Sequence, residues 1–499
     1  MAVLTASITN ALALVFFLLA ANYLLGVARQ TFSKIPTVNK GGIGLLRLSK
    51  TRPYLQAAYN KYSKSSRLYH NAARHYVLPV SLIPEFRRLP GTALNSSVAN
   101  EEVLSLARSL GKDYWDVVPA VRHNVIRSIT RFVDPVRDEV SVQSERHFSS
   151  FYSDGFVEVP IWMTANKIIA AIATRFLAGK ELTRNDVFQQ KIVEFARAVG
   201  VESTFLDLVP GWLVGLFSKQ KARVGLLKGL LRPLILDCLE ETGDGKVVLK
   251  EWDGEEKPLL PDFVAYVLPK YSQEGKTVAQ IKEMIVEQTA GRILGIWFAA
   301  IDTTSMTFSQ VTMDLLGQSQ AEYANVLREE IRTVLKKHEG QWSFEAVSEL
   351  KHLDSFIHET LRLHPVGSHL AQRKVLLPGG ITFSNGEHLP QGSLIELPIW
   401  FIHTDEQFYD SAAEFRGFRF VGEKHPEAAP SDTFMAFGHG NHACPGRRLA
   451  LMVVKFMVIE MLMNYEYVPF VDGRPKDMLF GAAILPSLEQ KIRIRKRVV

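Results

Sequence analysis

The stretch Phe437-Gly438-His439-Gly440-Asn441-His442-Ala443-Cys444-Pro445-Gly446 decides how the chain is read. Its thiol, Cys444, stands directly before Pro445, a residue type favoured at the first position of a helix. Arg447 to Tyr465 then reads as a strong amphipathic helix, which puts Cys444 at a helix N-terminus. Orphan N–H groups and the helix dipole favour an ionised sulfur there. Gly438 and Gly440 permit a tight turn and a close backbone approach to something flat or bulky. A thiolate held this way is a soft ligand suited to iron. Two blander readings compete with this one. A lone Cys before a helix is often a small buried residue, and His442 with Cys444 could be half of a zinc site, although no second cysteine pair exists to close it.

Three earlier segments bear on the choice. His352 to Pro365, HLDSFIHETLRLHP, reads as an amphipathic helix with Glu359 and Arg362 on one face. An ordinary surface ion pair would contribute about 0–1 kcal/mol, but Phe356, Ile357, Leu361 and Leu363 flank this one, so partial burial is expected. Asp410 to Phe420 supplies a further arginine, Arg419, in Phe415-Arg416-Gly417-Phe418-Arg419-Phe420. Phe298-Ala299-Ala300-Ile301-Asp302-Thr303-Thr304 places an acid and a hydroxyl inside an apolar helix, where propensity disfavours both. Either a functional role or a threonine bonding back to its own helix accounts for that.

The cysteine loop resembles the haem-binding loop of the cytochrome P-450 monooxygenases, Phe-Gly-x-Gly-x-His/Arg-x-Cys-x-Gly, at each of its fixed positions. That resemblance implies Cys444 as the proximal ligand of a haem b iron, His442 as a propionate contact, and Phe437 and Gly438 as part of the cofactor cradle. It likens Glu359 and Arg362 to the family's Glu-x-x-Arg helix, with Arg419 as third member; Gly417 stands where the family's loop has proline. It likens 298–304 to the oxygen-binding helix, with Ala300 in place of the usual glycine. By that likeness Thr303 would hydrogen-bond oxygen or water on the distal face, and Asp302 would help relay protons. Arg373 falls where the family often has a basic propionate contact, and a further arginine or tryptophan is expected somewhere in Trp115 to Arg131. Ile296, Ala299, Val366 and Ile484 are expected to face the substrate, within segments that also include Val366 to Leu370 and Phe480 to Leu485. The wording of the loop and of Phe298 to Met306 most resembles filamentous-fungal members of secondary metabolism.

Composition agrees with this picture. The chain has 499 residues, 47% hydrophobic and 22% charged, which excludes a disordered or fibrous chain and leaves room for roughly one to three domains. Mean hydropathy near zero excludes a polytopic membrane protein. Two cysteines are too few for a disulfide framework, and Cys238, in the apolar stretch Leu227 to Leu239, is expected to be an inert core residue. The net charge of +6 could suggest nucleic acid, but no basic stripe interleaved with aromatics exists. Instead Arg29, Lys34, Lys40, Arg47, Lys50 and Arg52 follow an apolar run, ALALVFFLLAANYLLGV at Ala11 to Val27, and the first acidic residue is Glu85. The run approaches the ~20 residues that span a bilayer. A signal peptide is the rival, though a basic start and a shorter apolar centre are missing. The positive-inside rule then puts the rest in the cytosol. Glycan at the sequon Asn95-Ser96-Ser97 would overturn that topology.

The expected organisation is a membrane anchor over 1–30, a basic Pro/Gly hinge over 31–54 and one catalytic domain over 55–499. The fold class is mainly α with small β-sheets, the cytochrome P-450 fold. Helices are expected at Val157 to Leu177, Val278 to Gly317, Gln320 to Lys337 and Leu449 to Tyr465; strands at Arg373 to Leu377, Ser393 to Leu397 and Lys491 to Val498. The resemblance implies a monooxygenase on the endoplasmic reticulum membrane, acting on a small apolar substrate such as a terpenoid, indole-terpenoid or polyketide. Electrons from NADPH would arrive through a reductase that docks on the Cys444 side near Arg447 and Arg448. Alternatives are a reductase-independent haem-thiolate isomerase or peroxygenase, and a non-catalytic membrane-tethered binding protein.

Overall fold

A computed structural model describes residues 56–63, 69–70, 75–104, 110–111, 114–148, 155–206, 219–317, 320–423, 429–480 and 482–497. The expected anchor over 1–30 and expected hinge over 31–54 lie outside the described residues. The chain divides into two compact units, one of Met1–Ser105, Ala198–Lys219 and Ala371–Pro398, the other of Leu106–Arg197, Gln220–Leu370 and Ile399–Val499.

The first unit is organised around a five-stranded sheet in the order Tyr69–His70, Tyr76–Val77, Leu394–Leu397, Leu370–Val375 and Leu94–Asn95, the first residue of its fourth strand lying outside the unit. Ile395 pairs with Tyr76 in parallel, and Leu94 with Val375 antiparallel. Val77, Leu94, Val375, Ile395 and Leu397 bury their side chains, as the alternation of a half-covered sheet requires.

The second unit is mostly helical. Its helices include Val118–Arg127 (α1), Val133–Phe148 (α2), Ile161–Ala178 (α3), Asp186–Leu206 (α4, whose residues from Ala198 belong to the first unit), Gln220–Asp237 (α5), Leu260–Val267 (α6), Val278–Leu316 (α7), Gln320–Lys337 (α8), Lys351–Leu363 (α9), Ile399–His403 (α10) and Arg447–Asn464 (α11). The long α7 forms the core, packing on α3, α5 and α11. It starts in a capping box: Thr277 accepts from Gln280 N–H, and the Gln280 side chain accepts from Thr277 N–H, so two orphan donors are satisfied. Among the described residues α7 is the one helix long and apolar enough to cross a membrane, but that apolar length is taken up by packing.

Helix and strand boundaries depart from the sequence expectation in instructive places. Val157–Pro160 is a strand rather than the first turn of a helix, because it pairs with Lys491–Ile494 and Pro160 then precedes Ile161 at the start of α3. α11 stops at Asn464, since Tyr465 pairs with Lys496. The strand expected over Arg373–Leu377 runs from Leu370 to Val375.

Candidate active site

Cys444 enters the second unit through a loop closed by its own backbone. Gly438 N–H donates to Met435 O (2.8 Å), Ala443 N–H to Gly440 O (3.1 Å) and Cys444 N–H to Phe437 O (2.8 Å). Gly438 and Gly440 have φ of +71° and +63°, the left-handed region that side chains disfavour. Arg447 donates from Nη1 to Cys444 O (2.7 Å), and Arg122 from Nη2 to Asn441 O (2.8 Å). Phe437, Gly438, His442 and Cys444 are half-buried. Helix α11 begins at Arg447 with Gly446 as its N-cap, two residues later than Pro445 suggests.

The sulfur receives the N–H groups of Gly446 and Arg447, and both favour the thiolate, as does the Arg447 charge. Burial is the larger influence and holds the thiol above its ordinary pKa. The N–H groups therefore act in the expected direction, and burial outweighs them. Arg447 is likewise committed to the loop by its bond to Cys444 O, whereas Arg448 is exposed.

Behind the loop, Glu359 and Arg362 are completely buried. Arg362 grips the carboxylate with two bonds, Nε to Oε2 (2.7 Å) and Nη2 to Oε1 (2.8 Å). Arg419 Nε reaches both oxygens at 3.1 Å, and Arg416 N–H donates to Oε1 (2.9 Å). The remaining Arg362 donors go to the carbonyls of His403 (2.6 Å), Ala412 (2.6 Å) and Glu414 (3.1 Å). Every fork position of Arg362 is used, which a lysine could not reproduce.

Gly417, in the position where the family's loop has proline, has a structural cause. A Cβ built there would lie 2.7 Å from Phe356 Cδ2 and 2.9 Å from Tyr323 Cε1. Its N–H donates to the Tyr323 hydroxyl (3.2 Å), which proline has no hydrogen to do.

On α7 the neighbouring turns are buried, yet Ala299 and Thr303 are exposed and Ile296 half-buried, a stripe of mostly small residues at helical spacing. The Thr303 hydroxyl donates to Ala299 O (2.7 Å), leaving its lone pairs outward. Asp302 has a buried carboxylate oxygen, Oδ1, without a hydrogen-bond partner among the described residues. Burial raises its pKa to about 6, against an opposing pull from Arg197. Val366 is half-buried, while Ile484 is only 2% exposed; Ala482 is the exposed residue of that turn. The two segments are stapled together: Gly367 bridges Ala483, Ser368 N–H donates to Ala482 O (2.7 Å) and Ile484 N–H to Val366 O (3.2 Å). Arg373 belongs to the first unit, where its Nη1 donates to Phe86 O (2.9 Å), its guanidinium lies 4.0 Å from the Phe86 ring centroid, and burial lowers its pKa to about 10.

A match to the family model for cytochrome P450 spans residues 162–494. The chain belongs to the cytochrome P450 family. It is 32% identical to the cytochrome P450 monooxygenase terQ of Tolypocladium album over 69% of this chain and 60% of that protein. It is 27% identical to cytochrome P450 monooxygenase 103 of Postia placenta over 98% of each, and 28% identical to gloP of Glarea lozoyensis over 85% of this chain and 82% of that protein. P450 membership brings a haem iron cofactor and monooxygenase chemistry with it. The residues present fit such a cofactor: a cysteine sulfur cradled by two N–H groups, a glycine turn, and an accessible small-residue stripe beside an orphaned buried carboxylate oxygen. Among the described residues no cluster of His, Cys, Asp and Glu offers a rival metal site.

Two residues that hold the cysteine loop were not singled out by number in the sequence. Arg122 ties α1 to the cysteine loop, and only its lying between Trp115 and Arg131 pointed to it. His403 links α9 to the same loop, and no local pattern announced it.

Proposed function

We propose that this P450 inserts one atom of dioxygen into a small apolar substrate of fungal secondary metabolism, with electrons from NADPH delivered by a membrane-bound reductase. The observation that carries this reading is the Cys444 sulfur, presented from a loop with the family's full signature and met by the N–H groups of Gly446 and Arg447. Bound haem would supply the iron on which dioxygen is activated, a thiolate ligand favouring O–O cleavage. Cys444 would hold that iron and would give up its proton on doing so, since metal binding and deprotonation are linked. Phe437 and Gly438 line the cradle, and His442 serves as a propionate contact. Glu359, Arg362 and Arg419 lock the polypeptide behind it.

Thr303 holds a water by accepting a hydrogen bond from it, because its own proton is given to Ala299 O. Asp302, with its pKa raised to about 6, exchanges a proton near neutrality and suits a relay. Ile296, Ala299, Val366 and the turn carrying Ile484 shape an apolar site. Residues 1–30 anchor the chain in the endoplasmic reticulum membrane, 31–54 form the hinge, and 55–499 make the catalytic domain on the cytosolic side. The apolar run and the basic residues after it support this.

The test is the carbon monoxide difference spectrum of the reduced full-length protein. A Soret band at the thiolate position is expected, lost in Cys444→Ser; its absence from the wild type would refute the reading. NADPH-dependent turnover in microsomes separates the monooxygenase from a reductase-independent isomerase or peroxygenase.

A further inference from the structure

His403, at the end of α10, is completely buried and makes two side-chain hydrogen bonds to backbone groups of fixed polarity. Nδ1 lies 3.0 Å from Arg362 O, which can only accept, so Nδ1 carries the proton. Nε2 lies 2.9 Å from Met435 N–H, which can only donate, so Nε2 is bare. The imidazole is thereby held neutral in a single tautomer, and burial lowers its pKa to about 3. Arg362 Nη1 returns a bond to His403 O, making the contact with α9 reciprocal. Phe434 is stacked between two imidazoles, His403 (5.3 Å, 9°) and His358 (3.7 Å, 25°). Met435 in turn accepts from Gly438 N–H, the first glycine of the cysteine loop.

We infer that His403 is a positioning residue for Cys444: Arg362 O fixes the tautomer, and the bare Nε2 that results holds Met435 N–H at the start of the cysteine loop. The inference rests on the haem-thiolate reading and deepens it. The consequence is an asymmetry between two conservative replacements. Asn puts its amide nitrogen where Nδ1 stands, keeping the bond to Arg362 O and losing Met435. Gln puts its carbonyl oxygen where Nε2 stands, keeping Met435 and losing Arg362. Each removes one buried hydrogen bond, so a role in packing alone would make them equivalent.

The experiment compares wild type, His403→Gln, His403→Asn and His403→Leu as full-length haem-loaded proteins. The readout is the ratio of thiolate-type to thiol-type Soret absorbance in the reduced carbon monoxide complex. His403→Gln is expected near the wild-type ratio, and His403→Asn and His403→Leu lower by roughly fivefold, the size of effect expected for one buried hydrogen bond. Equal ratios for Gln and Asn, or a lower ratio for Gln, would overturn the inference. Native-state hydrogen exchange of wild type keeps it testable if the variants do not fold. The Met435 amide should be strongly protected, and exchange at the rate of an open loop would refute the link. A wild type without the thiolate band would instead defeat the haem-thiolate reading, and the Met435 exchange would still report on the bond.

Discussion

Gly417 invites replacement by the proline of the family's loop pattern, and the structure predicts that this harms the protein. Gly417→Ala places a methyl 2.7 Å from Phe356 Cδ2 and 2.9 Å from Tyr323 Cε1, closer than carbon atoms tolerate. Both rings are fixed by edge contacts, Tyr323 with Phe356 at 5.5 Å and with Phe418 at 4.9 Å, and Phe356 with Phe415 at 5.1 Å. Overpacking of that kind costs about 1–3 kcal/mol. Gly417→Pro adds the loss of the N–H bond to the Tyr323 hydroxyl, about 1 kcal/mol more, for a total of about 2–4 kcal/mol. Urea unfolding followed by circular dichroism measures both variants, with midpoints falling in the order wild type, Ala, Pro. Tyr323→Phe supplies the control. It should cost about 1 kcal/mol in the wild type and almost nothing in the Gly417→Pro background, a coupling that a double-mutant cycle isolates. A proline variant as stable as the parent, or more so, would refute the argument that these rings exclude proline.

Other perturbations have equally definite outcomes. Glu359→Gln leaves the buried Arg362 and Arg419 guanidinia without their carboxylate and should destabilise the chain by about 3–5 kcal/mol, seen as loss of soluble haem-loaded protein. Asp302 binds its proton more tightly folded than unfolded, so its protonated form stabilises the native state below pH 4. That contribution disappears as pH rises through about 6. Asp302→Asn should therefore flatten the fall in stability between pH 4 and 6, by about 2–3 kcal/mol, in urea titrations across that range. Asn95 should carry no glycan when the chain is expressed with its first 54 residues, a point that peptide mass spectrometry decides.

Much of the site was legible because its chemistry is local in sequence. The cysteine loop needs residue types at fixed short spacings, and the Glu359–Arg362 pair lies within one helical turn. The extent of Val278–Leu316 was legible too, from its apolar periodicity. What escaped was non-local or a matter of magnitude. His403 acts through partners 41 and 32 residues away, and Arg122 through one 319 residues away, which no spacing rule encodes. A sequence reveals the helix start whose N–H groups favour the Cys444 thiolate, but not the burial that opposes them. The Val157–Pro160 strand was hidden for a related reason: its apolar residues suit a helix, and only the distant partner Lys491–Ile494 selects extended backbone.

The backbone staple between Val366–Ser368 and Ala482–Ile484 has a consequence for how selectivity can change. Because Ser368 and Ile484 hold opposite ends of one bridge, a substitution that shifts either segment drags the other, and where these segments line the substrate site as proposed, their effects on substrate choice will not add. Variants of this site are therefore best explored as pairs drawn from both segments, since single-position libraries would sample the least informative part of that landscape.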